Sequence, residues 1–263
     1  MCSLNDNRGN SHKPEKFSVI DNRKVAPGHY RLTLKGPSIA REAKPGQFVM
    51  IYMPREHGHM LPRPFSIFRV DRQRDEFSIF FAIKGRGTEL LARIAPGDVL
   101  KILGPLGKGF PPLPPKSLLV AGGMGIAPLV FLAASTTKPR TLIYGAPASG
   151  SLVCPPADLD LPGLTLVTAT EDGSRGERGT AVDVLADLLP GFEAIFACGP
   201  RPLLEAVNLL RLQADIATWF SMEERMACGI GACLGCVVKT GSGYKRVCRD
   251  GPVFPAEEVF LSD

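Results

Sequence analysis

Four of the seven cysteines lie close together near the C-terminus, in a spacing that suits an iron–sulfur cluster. Cys228, Cys233 and Cys236 form a C-x4-C-x2-C pattern, and Cys248 follows after eleven intervening residues. Plant-type 2Fe–2S proteins use this pattern, in which four thiolates hold two irons. Glycines alternate with the thiols, so the backbone can wrap tightly and direct amide N–H groups at the cluster sulfurs. The segment is therefore predicted to bind a 2Fe–2S cluster.

A structural zinc site is the other centre that four cysteines could build. Such sites usually present two short C-x2-C knuckles. This array has one, formed by Cys233 and Cys236. The odd number of cysteines also argues against a disulfide framework and favours the reducing cytoplasm. Iron is the favoured interpretation, and a zinc module stays open as the alternative.

Length and composition indicate two domains with a small addition. The chain has 263 residues, more than one average domain, and 44% of them are hydrophobic, which is ample for packed cores. The net charge of +5 is modest and its basic residues are scattered, so nucleic acid is an unfavoured partner. Residues 1–16 are polar, without the apolar core of a signal peptide, and are expected to form a flexible tail.

One uncharged stretch, residues 117–137, is long enough to span a membrane. Three glycines and Pro128 interrupt it and divide it into a short strand and a helix. We therefore expect no membrane span there.

Residues 17–112 have the pattern of a small antiparallel β-barrel. Alternating or apolar runs separated by Pro, Gly and charged turns predict six strands, at 17–25, 29–35, 47–53, 65–70, 76–84 and 98–103. A helix is predicted at 88–94. Six short strands with one helix favour a closed barrel.

Two motifs in the barrel region could contact a phosphorylated cofactor. The first is Arg63-Pro64-Phe65-Ser66, where arginine suits bidentate phosphate contact and the serine hydroxyl can bond a polar ring edge. The second is the glycine turn 84–88, which leads into a helix predicted to start at Thr88, where free N–H groups attract phosphate. An ordinary turn with a surface arginine would give similar residues, so each motif alone is weak.

Residues 113–221 alternate strands and helices after a proline-rich linker at 111–115. Strands are predicted at 117–121, 141–144, 164–168, 194–198 and 216–221. Helices are predicted from the 122–128 turn to about 137, at 180–189 and at 202–212. This alternation indicates a parallel sheet with helices on both faces.

Two turns of this region could face a nucleotide. The turn Gly-Gly-Met-Gly-Ile-Ala-Pro at 122–128 departs from G-x-G-x-x-G, yet its glycines leave room for a pyrophosphate and Pro128 pre-sets the first helical turn. A tight structural turn is the other interpretation. Cys198-Gly199-Pro200 ends a strand at the carboxyl edge, where ligands bind in such sheets. A lone cysteine there is otherwise a core residue.

Together, in this order, the motifs resemble the ferredoxin–NADP reductase superfamily. The C-terminal cysteine array resembles one branch of it, the electron-transfer subunits of B-type dihydroorotate dehydrogenase. The resemblance covers almost the whole chain after the tail. It implies a β plus α/β fold, with a tail at 1–16, an FAD-binding β-barrel at 17–112, a parallel α/β NAD-binding domain at 113–221 and a 2Fe–2S segment at 222–263.

The resemblance also implies roles for individual residues. Arg63 would contact the FAD phosphate, while Ser66, beside the flavin's reactive nitrogen, and Cys198, beside the nicotinamide, are the catalytic candidates. Phe65 stands where the family commonly has tyrosine, and it lacks that hydroxyl. The implied FAD contacts are Arg63, Pro64, Phe65, Ser66, Phe80, Phe81, Ala82, Gly87 and Thr88. The implied NAD contacts are Gly122, Gly123, Gly125, Pro128, Cys198, Gly199 and Pro200, and the implied cluster ligands are Cys228, Cys233, Cys236 and Cys248.

The activity implied by the resemblance is that of an oxidoreductase subunit in pyrimidine (UMP) biosynthesis. Its expected partner is an FMN-containing dihydroorotate dehydrogenase catalytic subunit, in a heterotetramer with two copies of each. Electrons would pass singly through the cluster to FAD and leave as hydride to NAD+. Since no part of the chain resembles a dihydroorotate site, it is not expected to oxidise that substrate alone. Acidic residues in the loop 171–173 favour NAD over NADP.

Two further hypotheses stay open. One is a related FAD/2Fe–2S reductase subunit, of the sulfide dehydrogenase or NADPH–ferredoxin transhydrogenase type. The other is a non-enzymatic zinc or redox-sensing module that keeps the reductase fold.

Overall fold

The computed structural model describes residues 13–53 and 61–259. Residues 1–12 of the predicted tail and residues 260–263 of the C-terminal segment lie outside them. Within the described residues, a barrel and a parallel sheet pack against each other, and the C-terminal segment contacts both.

The N-terminal region is a closed antiparallel barrel, as predicted. Its strands follow the order β1-β2-β5-β4-β3-β6 around the barrel. Alternate side chains such as Leu32, Ile51 and Ile79 are fully buried and fill its core. The strands are β1 (Glu15–Ala26), β2 (His29–Lys35), β3 (Phe48–Tyr52), β4 (Arg63–Asp71), β5 (Glu76–Ala82) and β6 (Val99–Leu106).

Two short helices accompany the barrel. Helix α1 (Pro37–Glu42) was not predicted, because six residues are too few to show a helical period. Its first residue is proline, whose fixed φ suits the first helical position. Helix α2 (Arg86–Ala92) begins two residues before Thr88, so the predicted helix start is wrong.

The second domain is a parallel sheet flanked by helices, also as predicted. Its strands are β7 (Ser117–Gly122), β8 (Arg140–Ala146), β9 (Leu164–Thr170), β10 (Glu177–Arg178), β11 (Ala194–Cys198) and β12 (Ala217–Ser221), in the order β10-β9-β8-β7-β11-β12. Its helices are α3 (Ile126–Ala133), α4 (Ala181–Leu188) and α5 (Arg201–Ala214).

Helix α3 lies between the two domains. All eight of its residues are buried, because one side packs on the sheet and another on β4 of the barrel. A helix that is apolar all round needs cover on every side. This explains the uncharged stretch 117–137 as a buried strand followed by a buried helix, and no described helix has the length and apolar character to cross a bilayer.

The C-terminal segment is built into both domains. It contains a hairpin of β13 (Val237–Thr240) and β14 (Gly243–Arg246), the short helix α6 (Val247–Asp250) and β15 (Val253–Pro255). Strand β15 pairs antiparallel with β12 and becomes the seventh strand of the sheet. On the barrel side, the Lys108 amide donates to the Gly251 carbonyl.

Candidate functional site

A cavity of about 430 Å³ opens where the barrel, the N-terminal turn of α3 and the C-terminal segment meet. It is lined by every residue that the resemblance assigned to FAD. These come from three separate stretches of the chain, which folding brings to one place. The predicted residues in its walls are Arg63, Pro64, Phe65, Ser66, Phe80, Phe81, Ala82, Gly87 and Thr88.

Arg63 and Gly87 lie side by side in this cavity. The side chain of Arg63 is fixed by donating from Nη1 to the Leu61 carbonyl at 2.5 Å. A Cβ added at Gly87 would lie 3.5 Å from the Arg63 Nε, an ordinary contact distance, so the Gly87 backbone and the guanidinium are direct neighbours. Lys84 and Arg86 also line the cavity. The three cations Arg63, Lys84 and Arg86 on one part of the cavity wall fit the diphosphate of FAD.

Thr88 shapes the turn before α2 through its hydroxyl. That oxygen accepts from the amides of Lys84, at 2.9 Å, and Gly85, at 3.2 Å, and donates to the Gly85 carbonyl at 2.9 Å. The hydroxyl is therefore already engaged within the turn. This geometry indicates that Thr88 holds the turn in place while the backbone and the nearby cations face the cavity.

The aromatic wall of the cavity is rigid. The rings of Phe65 and Phe81 meet edge to face with centroids 5.9 Å apart, and Tyr30 stacks on Phe81 at 5.5 Å. Phe68 packs edge to face on Phe80 with centroids 4.2 Å apart. Aromatic pairs in such geometries resist displacement, so they give a flat cofactor ring a defined surface.

Sequence reasoning missed several cavity residues, including the acidic Glu223. Its carboxylate remains accessible to water within the cavity but is surrounded by protein atoms, and this burial raises its pKa although the positive charge of Lys84 opposes the shift. Its place directly after strand β12 is a signal that could have found it. Lys84, Gly85 and Arg86 belong to the glycine turn 84–88, and Met124 and Ala127 to the turn 122–128, both of which the sequence had singled out. The other missed lining residues are Phe48, Ser221, Met222, Glu224, Met226 and Pro252.

Cys198 lies at the end of β11 and is 1% exposed. Burial raises its pKa well above the ordinary value, the negative charge of Glu223 raises it further, and a hydrogen bond with Ser221 acts in the opposite direction. The thiol therefore stays protonated at neutral pH. It can pack against a ligand but cannot act as a thiolate.

The sheet reverses its order between β7 and β11. The chain adds β8 to β10 on one side of β7 and then returns to place β11 on the other. In open parallel sheets, ligands bind at the carboxyl edge of such a crossover. The seven residues assigned to NAD lie at this edge or at the start of α3. Met124 and Ala127 of the same turn line the 430 Å³ cavity described above, which we call the flavin cavity.

The glycines of this crossover permit two loops to pack closely. A Cβ on Gly125 would lie 2.1 Å from the Cys198 carbonyl oxygen, and one on Gly122 would lie 2.8 Å from Leu203 Cδ1. Gly123 adopts a φ of +53°, in the left-handed region that favours glycine. The turn 122–128 is therefore a tight structural turn, an interpretation that the sequence left open, and it lies where a nucleotide is expected.

The four thiols of the C-terminal array come from two neighbouring pieces of the chain, the loop 228–236 and helix α6, which carries Cys248. Each accepts a backbone N–H: Cys248 from Gly231 at 3.0 Å, Cys228 from Cys233 at 3.4 Å, Cys236 from Cys248 at 3.4 Å and Cys233 from Gly235 at 3.5 Å. Amide donors aimed at sulfur are typical of iron–sulfur loops.

The thiols differ in their surroundings. Burial raises the pKa of Cys228, but amides of Ile230, Cys233 and Ala232 outweigh it and lower the value to about 6. Burial, aided by Cys236, raises the pKa of Cys248 to about 12. The amide hydrogen bonds thus dominate the pKa of Cys228, whereas burial dominates the pKa of Cys248.

One side of the cluster site is buried and the other is open. Cys236 and Cys248 are each 2% exposed and share a hydrophobic core with Phe48 and Met50 of the barrel. Cys233 is exposed on the opposite side. The buried side thus continues toward the flavin cavity, which Phe48 lines.

The fold and these sites define an oxidoreductase of the ferredoxin-reductase class with an added iron–sulfur segment. Residues 17–110 match the oxidoreductase FAD-binding domain, and residues 223–260 match the iron–sulfur cluster binding domain of dihydroorotate dehydrogenase B. The second match decides between iron and zinc in favour of iron. The chain belongs to the family of electron-transfer subunits of NAD+-dependent dihydroorotate dehydrogenase B.

Membership rests on similarity over nearly the full length of known subunits. The electron transfer subunit of dihydroorotate dehydrogenase B (NAD(+)) from Caldanaerobacter subterraneus subsp. tengcongensis is 39% identical, over 94% of this chain and 98% of its own. That of Geobacillus kaustophilus is 38% identical over the same shares. A solved structure of NADH-dependent reduced ferredoxin–NADP oxidoreductase aligns with a TM-score of 0.84 and 26% identity, over 97% of this chain and 91% of its own.

The close packing at Gly125 predicts a stability defect. Gly125→Ala forces the Cys198 carbonyl aside, so we expect about 1–3 kcal/mol lower free energy of unfolding, with weaker NADH binding because both loops border the expected nucleotide site. Chemical unfolding and an NADH titration measure the two effects. Gly241→Ala is the control, since a Cβ there has no neighbour within 4 Å. A Gly125→Ala protein as stable as the wild type would contradict the model of two tightly packed loops.

The cysteine array predicts loss of iron when one thiol is removed. We expect Cys233→Ser and Cys236→Ser both to lose the cluster and keep FAD, with the larger loss of stability at Cys236 because it is part of the core shared with the barrel. Iron and flavin are measured per chain in the purified proteins. Cys154→Ser, at a buried cysteine outside the array, should keep its iron. Wild-type iron in both array variants would refute the assignment.

Proposed function

We propose that this chain passes electrons from an FMN-containing dihydroorotate dehydrogenase subunit to NAD+ in pyrimidine biosynthesis. When bound, FAD exchanges single electrons or hydride, the cluster exchanges single electrons, and NAD+ accepts hydride. The observation that supports the proposal most is the single cavity walled by the FAD-assigned residues, by the crossover turn and by the start of the cluster segment. The three proposed binding units are residues 17–112, 113–221 and 222–263, and the expected compartment is the reducing cytoplasm.

In this proposal the barrel residues bind and orient the flavin. Arg63 contacts the diphosphate, and Ser66 faces the cavity from β4, where its hydroxyl can bond the polar edge of the ring. Phe65 and Phe81 form the aromatic wall that excludes water. Cys198, buried at the end of β11 with its thiol protonated, places no charge at the edge where the nicotinamide would lie.

The open side of the cluster site is the proposed docking surface for the catalytic subunit. We call this surface the cluster rim, and it consists of the exposed residues Ala232, Cys233, Leu234 and Gly235. Leu234 is 62% exposed and has a φ of +57°, an unusual conformation for leucine. An exposed leucine beside an electron carrier is typical of an interaction patch. We propose a heterotetramer with two copies of each subunit.

A related reductase remains the second candidate, because the solved structure of similar fold belongs to NADH-dependent reduced ferredoxin–NADP oxidoreductase. The iron–sulfur segment and the full-length relatives favour the dihydroorotate branch. Reconstitution with the partner distinguishes the two.

The loop after β9 predicts a preference for NADH over NADPH. Asp172 accepts from the amide and hydroxyl of Ser174, at 2.9 and 2.6 Å, and these bonds hold its pKa below the usual range. The ionised carboxylate would repel a 2′-phosphate. We expect a higher kcat/KM for NADH than for NADPH with an artificial acceptor, and a smaller difference between the two nucleotides in Asp172→Asn.

The control for nucleotide choice is Asp187→Asn, at an exposed position on α4. This variant should leave the ratio of kcat/KM for NADH to kcat/KM for NADPH unchanged. Arg175 and Arg178 follow in the same connection, so a clear NADPH preference of the wild type would assign them to the 2′-phosphate and overturn the prediction.

Reconstitution tests the function directly. Alone, the loaded chain should oxidise NADH with dyes but show no dihydroorotate–NAD+ activity, and addition of the FMN-containing subunit should create it. Leu234→Glu should keep iron, FAD and dye reduction but lose the reconstituted activity. Leu209→Glu, on α5 with a similar exposure of 63%, is the control. An inactive mixture of two fully loaded proteins would refute the dihydroorotate assignment.

A further inference from the structure

The carboxylate of Asp158 joins the dinucleotide domain to the outer wall of the barrel. Asp158 ends the short turn Pro156–Asp158, in the connection between β8 and β9. Its two carboxylate oxygens accept from Nη1 of Arg31, at 2.9 and 3.0 Å. Arg69 adds a contact of 3.9 Å from Nε to the carboxylate and donates from Nη2 to the Asp158 carbonyl.

These three residues form a largely buried ion cluster. The exposed fractions of the side chains are 12% for Asp158, 19% for Arg31 and 32% for Arg69. The Nε atoms of both arginines are buried without a hydrogen-bond partner, so the single carboxylate is what compensates two guanidinium groups. Cys154 lies beside them, but burial above all raises its pKa to about 12, so its thiol adds no charge. Removing the carboxylate would leave two neighbouring cations with little solvent.

On the barrel side, the ion cluster lies behind the aromatic side chains that form the wall of the flavin cavity. Arg31 on β2 is paired in register with Phe80 on β5, and Phe80 lines the cavity. The guanidinium of Arg69 lies 5.9 Å from the ring of Phe68, which packs on Phe80. The arginines therefore touch the cavity only through aromatic side chains.

On the other side, the same connection is tied to the sheet. The hydroxyl of Tyr144 on β8 accepts from the Val153 amide at 3.0 Å. Strand β8 neighbours β7, whose carboxyl end begins the crossover turn. Residues 153–158 thus connect the nucleotide edge of the sheet with the back of the flavin wall.

From this connection we propose that Asp158 is a positioning residue for hydride transfer. By binding Arg31 and Arg69 together, it sets the orientation of the dinucleotide domain on the barrel, and so the contact between nicotinamide and flavin. The proposal rests on the proposed function, since it needs both cofactors. It predicts that loss of the carboxylate impairs the approach of the two rings while each cofactor still binds.

The experiment uses the full chain carrying FAD and its cluster, with Asp158→Asn as the test variant. Asparagine keeps the shape and one acceptor but removes the charge. On mixing with NADH, we expect loss of the long-wavelength charge-transfer absorbance that stacked flavin and nicotinamide give. Flavin reduction at saturating NADH should slow by about tenfold or more, with KM little changed. Asp158→Glu should restore part of both signals, and amide hydrogen exchange at 153–159 should rise in Asp158→Asn without any added nucleotide.

Asp187→Asn is the control, because it removes a carboxylate at an exposed position on α4. It should leave all signals unchanged. If Asp158→Asn fails to fold, Arg69→Gln, which removes the longer contact, should show the same losses to a smaller extent.

Unchanged absorbance and rate in the folded variants would overturn the positioning role, as would losses that merely follow a loss of FAD or of folded protein. Failure of the proposed function looks different. In that case the wild type would keep the charge-transfer absorbance and the flavin reduction by NADH, but would show no dihydroorotate–NAD+ activity with the FMN-containing subunit.

Discussion

The arrangement of the molecule depends on the burial of helix α3 between the sheet and the barrel. Phe131 of this helix belongs to the barrel core, whereas Leu129 shares a core with Phe196 of the sheet. Because the helix is apolar on all sides, neither domain alone could cover it. Its N-terminal turn is therefore held against both domains, and that turn borders both the flavin cavity and the crossover edge of the sheet. The position of the nucleotide edge relative to the barrel follows from hydrophobic packing, and the Asp158 ion cluster refines it from the opposite side.

The C-terminal segment depends on the same two domains for its structure. Its β15 completes the sheet, and its cysteines Cys236 and Cys248 pack with side chains of the barrel. A Cβ on Gly229 would lie 2.5 Å from Met50 Cγ, so the cluster loop approaches the barrel as closely as glycine allows. The sequence predicts the C-terminal segment as a separate unit, whereas in the fold it forms a third wall of the flavin cavity. This contact gives a physical reason why cluster and flavin sites occur on one chain.

Much of the fold could be predicted from the sequence because strand periodicity and the glycine turns are local signals. The six barrel strands and the parallel sheet are confirmed, and the residues assigned to FAD meet in one cavity although the assignment itself remains a prediction. Helix α1 and strand β15 were missed because they are too short to show a period. Glu223 and Asp158 were missed because their significance comes from partners far away in sequence, Lys84 in one case and Arg31 in the other. The start of α2 was misplaced because the Thr88 hydroxyl bonds backward to the turn rather than beginning the helix.

The two sides of the cluster site differ in burial. Two of its thiols face the core shared with the flavin cavity, and the exposed Cys233 lies beside Leu234 on the surface. A one-electron carrier needs two redox neighbours, one on each side. The buried and the exposed thiols alike accept hydrogen bonds from backbone amides. Burial on one side lowers solvent access between the cluster and the flavin, while exposure on the other leaves room for a second protein to approach. The part of the chain that positions the four thiols therefore also closes one side of the cluster site and leaves the other side open to solvent.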